Sequence, residues 1–394
     1  MRFSDDARRA RLARRHGLHP EHRLPSPEAV AAAMVALHAT EAASVHLAVA
    51  VRSNDVGVAD VERALYLDRT LVKQLAMRRT LFAFPRDLLP AVWASASARV
   101  AAQQRSQLER DLVRHGVTDD PAAWLQQARL AVLDRLAPGE VLSARQLREA
   151  LPELAGLTVR ITDSRWALAD TPFAPRVLTW LGAEHLIVRG TNQGHWRLGR
   201  PGWTSMTSWL GSEPQPLTSR EGYAGLISRW LWTFGPGTEA DLVWWLGSTK
   251  AAVRAALADL NAVPVELDSG DTGYLLPGDD EPDAPVTPWA ALLPTLDSTL
   301  MGWRQRDFYL DPDLTPYLFD SNGNGGTTAW LSGRVVGCWV QNTDGSVRVL
   351  PVRPMTAAEG LLLNAEAERL TAFLNGVRIT NVYSSLMMKG ESLR

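Results

Sequence analysis

Between positions 219 and 276 the chain spells out one complete folding unit, and that unit limits what the whole can be. Tyr223, Leu226, Ile227, Trp230 and Leu231 share one face of a helix over 219–234. Thr238 is placed to cap a helix over 239–246, and Ser248 a helix over 249–260. An apolar run at 263–267, an SGDTG turn and a second run at 274–276 then read as a β-hairpin. Three helices, the last two joined by a tight turn, followed by a hairpin, give the order of a winged helix-turn-helix.

The same order recurs with weaker signals. Over 119–216, helices are expected at 122–136, 143–151 and 175–181, and strands at 185–188 and 195–198 frame a TNQG turn. Over 1–118, helices at 58–66 and 69–77 precede a strand at 80–84. Pro/Gly-rich junctions near Pro138-Gly139, at 211–217 and at 277–288 separate the segments. The last segment differs: β-type runs at 327–331, 334–341 and 347–352 precede an amphipathic helix over 357–375, which fits a small barrel or sandwich. The expected fold class is α+β: three tandem winged helix-turn-helix units (1–118, 119–216 and 217–280) followed by a small C-terminal β-barrel (281–394).

Composition narrows the function classes. With 46% hydrophobic and 21% charged residues in 394, the chain has material for two to four packed domains and is not a disordered protein. No run approaches the roughly 18 uncharged apolar residues of a membrane span, and the Arg-rich start lacks an apolar signal core. A soluble cytoplasmic protein without membrane contact is expected. The single cysteine, Cys338, excludes an intramolecular disulfide framework and a cysteine-based zinc or iron–sulfur site. The NGNGG run at 322–326 lacks the Lys and Ser/Thr of a P-loop, and no strand-GxGxxG-helix unit occurs. His16, His19 and His22 have no supporting carboxylate pattern, so neither a cofactor nor a metal is expected.

Charge is unevenly placed. The total of 41 Lys+Arg against 43 Asp+Glu hides an excess over 1–118, where 18 basic residues face 12 acidic ones. Nearly all of the basic residues are arginine, whose planar fork suits phosphate, although a GC-rich coding bias produces the same substitution. Arg69, Lys73, Arg78 and Arg79 fall on or just after the third helix expected in the first unit, and Arg189 and Arg197 on the wing of the second. The wing of the third carries Glu266, Asp268 and Asp271, which DNA would repel. Double-stranded DNA is the expected partner of a monomeric, nucleoid-associated protein that grips it through the first unit. A solvated face is the competing reading for each arginine.

At 37–52 (LHATEAASVHLAVAVR), 64–85 (ALYLDRTLVKQLAMRRTLFAFP), 292–306 (LLPTLDSTLMGWRQR) and 320–339 (DSNGNGGTTAWLSGRVVGCW), the chain resembles the AlkZ/YcaQ-like winged-helix DNA glycosylases. The likeness runs in order along nearly the whole length. It implies three winged helices and a C-terminal β-barrel in a C-shaped body around duplex DNA. It also implies removal of bulky N7-alkylated purines and unhooking of interstrand crosslinks. The family's catalytic signature is Gln, an apolar residue, then Gln or Asp. His38, Ala39 and Thr40 stand at those positions, and Phe82 stands where the family often has a histidine. Arg52, Arg304 and Arg306 join the expected DNA contacts, the last two with pairing to Asp297 or Asp307 as the alternative.

An N7-alkylated purine is already cationic, so its departure needs no general acid. The protein must place a water beneath C1′ and stabilise an oxocarbenium-like transition state. The expected catalytic set is His38 to orient or activate that water, Thr40 to assist by hydrogen bonding and Glu41 as the nearest carboxylate. Residues two apart share a side only on extended backbone, so positions 38–40 must leave the preceding helix. Thr40 then caps a helix over 41–52. The competing assignments are a carbonyl-satisfying His38 and a purely capping Thr40, which leave a DNA-binding protein without catalysis, a lesion sensor or regulator. His46 and the tryptophans Trp230, Trp232, Trp244 and Trp245 read as packing.

Overall fold

A computed structural model describes residues 1–155, 158–159, 171–212 and 214–391, and the fold is α+β. In the third segment the elements follow the sequence closely because their signals are local. Thr218 and Thr238 each accept from the backbone of the third helical residue, while Glu221 and Asp241 reach back to the cap. Thr249, one residue later than expected, caps the helix Lys250–Asp259. Strands Val263–Leu267 and Thr272–Leu275 form the hairpin, and Gly237–Thr238 pairs with its second strand.

An unforeseen strand completes this sheet. Arg2–Phe3 runs parallel to Val263–Leu267, carrying the helix Asp5–Arg15 onto the third segment. The arginines of that helix are therefore not a free basic arm. Arg11 and Arg15 converge on Asp279, Arg11 also donates to the carbonyl of Gly235, and Arg8 lies 3.6 Å over the Phe308 ring.

The first segment departs most from expectation. The helix expected at 69–77 is the strand Leu71–Ala76, paired antiparallel with Thr80–Pro85, which in turn pairs with Leu37–His38. All but one residue of Leu71–Ala76 is buried, so it lacks the alternation that marks a half-exposed strand, and its apolar spacing also fits a helix. Arg69, Lys73, Arg78 and Arg79 thus belong to a hairpin rather than to a recognition helix.

The second segment packs Pro121–Leu136, Ala144–Ala150 and Ala174–Ala183 around a separate core that includes Leu125, Leu178 and Trp203 and is shared with Leu108 and Leu112 of the first segment. Its hairpin is Ile187–Asn192 with Pro201–Ser205, so the second strand begins six residues later than expected. In the last segment Ala290–Leu293, Thr328–Leu331, Arg334–Gln341 and Val347–Pro351 pair in chain order. Among the described residues nothing joins the first strand to the last, so this is an open sheet in place of the closed barrel expected, and the helix Ala357–Leu374 packs on it. The main apolar core runs through the first, third and fourth segments and takes in Ala183, Val188, Met206, Trp209 and Leu210 of the second.

Candidate functional site

The short helix Pro27–Ala33 ends at Met34, Val35 takes a positive φ of 63°, and Leu37–His38 then lies extended at the edge of the first sheet. His38 is set among apolar walls by that pairing. Its ring meets Phe82 edge-on at 5.4 Å, and Met34, Trp245, Leu296 and Met301 line the same narrow cleft. Nδ1 accepts the backbone N–H of Thr40 at 3.4 Å, which leaves the proton of the neutral ring on Nε2. Burial, reinforced by the charge of Arg78, pushes the pKa down to about 3.

Arg78 enters the cleft from the hairpin turn. Both Arg78 and Arg79 sit in the left-handed region, at φ of 52° and 59°, where side chains other than Gly, Asn or Asp are uncommon. The turn is pressed against Gly247, where an added Cβ would lie 3.1 Å from Cγ of Arg78. The Arg78 guanidinium stacks over the Trp244 ring at 3.9 Å, and that of Arg306 reaches the same indole at 5.2 Å and Phe319 at 4.6 Å. Among the described residues, no carboxylate pairs with either. Burial, then the neighbouring charge of Arg306, lowers the pKa of Arg78 to about 10. Arg79 and Arg304 are exposed beside them, the latter with its backbone N–H on Asp241 at 2.9 Å. Arg306 also donates from Nε to the carbonyl of Trp303 at 3.1 Å, so Arg78 in the His38 cleft and Arg306 beyond it share an aromatic platform with no carboxylate partner among the described residues, an arrangement that suits an anion.

Residues 31–373 match the family model described as DNA glycosylase AlkZ-like. The chain belongs to the AlkZ-like DNA glycosylase family. Among solved structures it is similar to the DNA glycosylase AlkZ of Streptomyces sahachiroi, with a TM-score of 0.75 at 22% identity over 94% of this chain and 98% of that one. At that identity the likeness speaks for the fold. No curated protein is matched by sequence.

The other expected site residues of this AlkZ-like chain are dispersed. Thr40 is exposed and its hydroxyl makes no hydrogen bond among the described residues; Glu41, not Thr40, holds the cap position of the helix Ala42–Arg52. Glu41 turns away from the cleft, and its Oε1 accepts the N–H groups of Val382 at 2.6 Å and Tyr383 at 3.4 Å. Its pKa is raised by burial. Arg52, expected at DNA, is fully buried in a two-point pair with Asp297 at 2.7 and 2.9 Å and donates to Thr299 and to the carbonyl of Ala48. Arg69 stacks on Trp209 and donates to its carbonyl, which ties the first segment to the second. Lys73 donates to the Tyr66 hydroxyl at 2.6 Å, and burial with Arg189 nearby pushes its pKa down to about 8. Arg189 lies over Trp203, and Arg197 is exposed.

His46 packs on Trp196 at 5.0 Å, and His16 spans Thr299 and the carbonyl of Thr233. No group of three or more metal-binding side chains occurs among the described residues. Sequence reasoning missed Trp244 as a platform. Its helix also carries the buried Trp245, and only the facing of the two indoles, which depends on what packs there, tells them apart.

Proposed function

We propose that this AlkZ-like protein is a DNA glycosylase of duplex DNA that hydrolyses the N-glycosidic bond of bulky N7-alkylated purines, interstrand crosslinks among them. In this reading three winged-helix units form the DNA-binding body, acting as a monomer in the cytoplasm. The observation that carries it is His38, a neutral ring with Nε2–H unspent, in a cleft lined by Arg78, whose guanidinium shares Trp244 with that of Arg306 and has no carboxylate partner among the described residues.

With Nδ1 engaged and its pKa near 3, His38 is a hydrogen-bond donor rather than a general base. That suffices for a cationic leaving group. The C1′–N9 electron pair moves onto the purine and cancels its charge, the water held by Nε2–H adds to C1′, and that water's proton passes to solvent. A phosphate seated between Arg78 and Arg306 offsets their positive field and sets negative charge near the oxocarbenium.

One observation favours binding without catalysis: the Thr40 hydroxyl and the Glu41 carboxylate both lie off the cleft, so His38 stands alone. Incubation with N7-methylguanine and crosslinked duplexes separates the readings. The glycosylase predicts abasic product from wild type and at least tenfold less from His38→Ala. Salt-sensitive binding with no abasic product from wild type establishes the binding-only protein, while equal product from both moves the chemistry away from His38.

A further inference from the structure

Residues 294–299 of the fourth segment bring a hydroxyl into the His38 cleft. The N–H of Asp297 donates back to the carbonyl of Pro294 at 3.2 Å, and Leu296 between them takes a positive φ of 59°, so the chain folds back in a tight turn. Two contacts lock this turn to the first segment: Asp297 holds Arg52, and Ser44 donates to the carbonyl of Thr295 at 3.1 Å. From Trp289 to Trp303 every residue is buried except Ser298, which is partly exposed and lines the same cleft as His38.

Ser298 has spent its proton but not its lone pairs. The N–H of Ala39 donates to the carbonyl of Leu81 at 2.9 Å, so Leu37 and Ala39 turn their backbone groups toward the strand Thr80–Pro85, and by alternation the carbonyl of Ala36 faces the open edge. The Ser298 O–H donates to that carbonyl at 2.8 Å. A hydroxyl carries one proton and two lone pairs, so Oγ can still accept, and Nε2–H of His38 is the complementary donor. The space left between the cleft walls, about 10 Å³ for the centre of a water, admits one molecule.

We propose that Ser298 is a second catalytic residue, holding the attacking water together with His38: the water accepts from Nε2–H and donates one proton to Ser298 Oγ. Its other lone pair then faces C1′, and its other proton faces solvent, to which it passes as the C1′–O bond forms. Ser298 itself breaks no bond. This rests on the reading of His38 as the residue that holds the water. Neither Thr40 nor Glu41 takes the role, since both lie off the cleft.

The test uses the full chain and an N7-methylguanine duplex, with single-turnover rates, affinity by anisotropy and NMR of the His38 ring. Ser298→Ala is expected to slow abasic-product formation about tenfold, the loss of one hydrogen bond to a reacting group, at unchanged affinity and with the His38 signals in place. Ser298→Thr, which keeps the hydroxyl, is expected to regain most of the rate. Because both residues hold one water, His38→Ala with Ser298→Ala should be no slower than the slower single variant. In crystals of wild type, one water should lie within hydrogen-bond reach of both Nε2 and Oγ. Absence of that water overturns the proposal whatever the variants do. A Ser298→Ala rate within about twofold of wild type, or a double variant slowed by the product of the two single losses, overturns it and leaves His38 standing. Rate loss with displaced His38 signals makes Ser298 structural and overturns it as well. No abasic product from wild type overturns both the proposal and the glycosylase reading.

Discussion

Thr40 touches His38 through its backbone alone: its N–H donates to Nδ1 of the ring at 3.4 Å while its side chain points into solvent. The relationship fixes the tautomer of His38 and removes its only acceptor, so the imidazole faces the cleft as a donor. Thr40→Ala keeps that N–H. Abasic product formation is expected to stay within about twofold of wild type, the change a surface side chain brings. A tenfold loss at unchanged DNA affinity would return the hydroxyl to the chemistry.

His16, His38 and His46 are each pushed down to about 3 by burial. An unfolded ring protonates near pH 6.5 and the folded one only near 3, so the unfolded chain binds more protons throughout that window. Stability is full above about pH 6.5 and falls as pH drops toward 3, by at most roughly 1.4 kcal/mol per pH unit for each ring. Thermal melts from pH 7.5 to 4.5 should show this decline, and His38→Gln should make it shallower. A flat profile would mean that the rings reach water.

The Arg52–Asp297 pair is buried on both sides, so removing one partner strands the other. Arg52→Ala is expected to cost about 3–5 kcal/mol, and Arg52→Met with Asp297→Leu to recover most of it. Urea unfolding measures both. DNA affinity of the folded double variant should match wild type; a marked loss would place Arg52 at the interface after all.

Arg78 and Arg306 share Trp244 with no carboxylate between them. If each meets one phosphate, Arg78→Ala and Arg306→Ala should each reduce the slope of log affinity against log salt by about 0.9. Arg78→Ala should also raise the pKa of His38, visible by NMR of the ring, because the Arg78 charge is one of the two causes holding it down. An unaltered salt slope in both variants removes this pair from the DNA contacts.

Glu41 accepts the N–H groups of Val382 and Tyr383 while buried, and burial raises its pKa. The ionised form is therefore the costly one, and its penalty is absent below the unfolded pKa and grows as pH rises through the folded value. Glu41→Gln keeps an acceptor oxygen and should leave the segment 377–383 protected from proteases at neutral pH, whereas Glu41→Ala should expose it to cleavage near Val382. Equal cleavage of the two would show that this segment is held by its other contacts, those of Gln341 and Thr295.

Much of the fold is legible in the sequence where the information is local. Thr218 with Glu221 and Thr238 with Asp241 write their helix starts within four residues, and 334–341 reads directly as the strand Arg334–Gln341. Leu71–Ala76 does not read this way, because a strand buried on nearly all sides loses the period that separates it from a helix. The parallel pairing of Arg2–Phe3 with Val263–Leu267 leaves no local mark at all.

The sequence by itself determined the capped helices and hairpin of the third segment, the strand Arg334–Gln341 and the family. Only the tertiary structure decided what the arginines do. An arginine's role depends on which carboxylate or aromatic ring the fold brings to it: Asp297 takes Arg52 inward, Asp279 takes Arg11, and Arg78 and Arg306 meet Trp244 with no carboxylate partner among the described residues. Those partners come from far along the chain, and a guanidinium responds to charge and water within a few ångströms, a distance that sequence order does not encode.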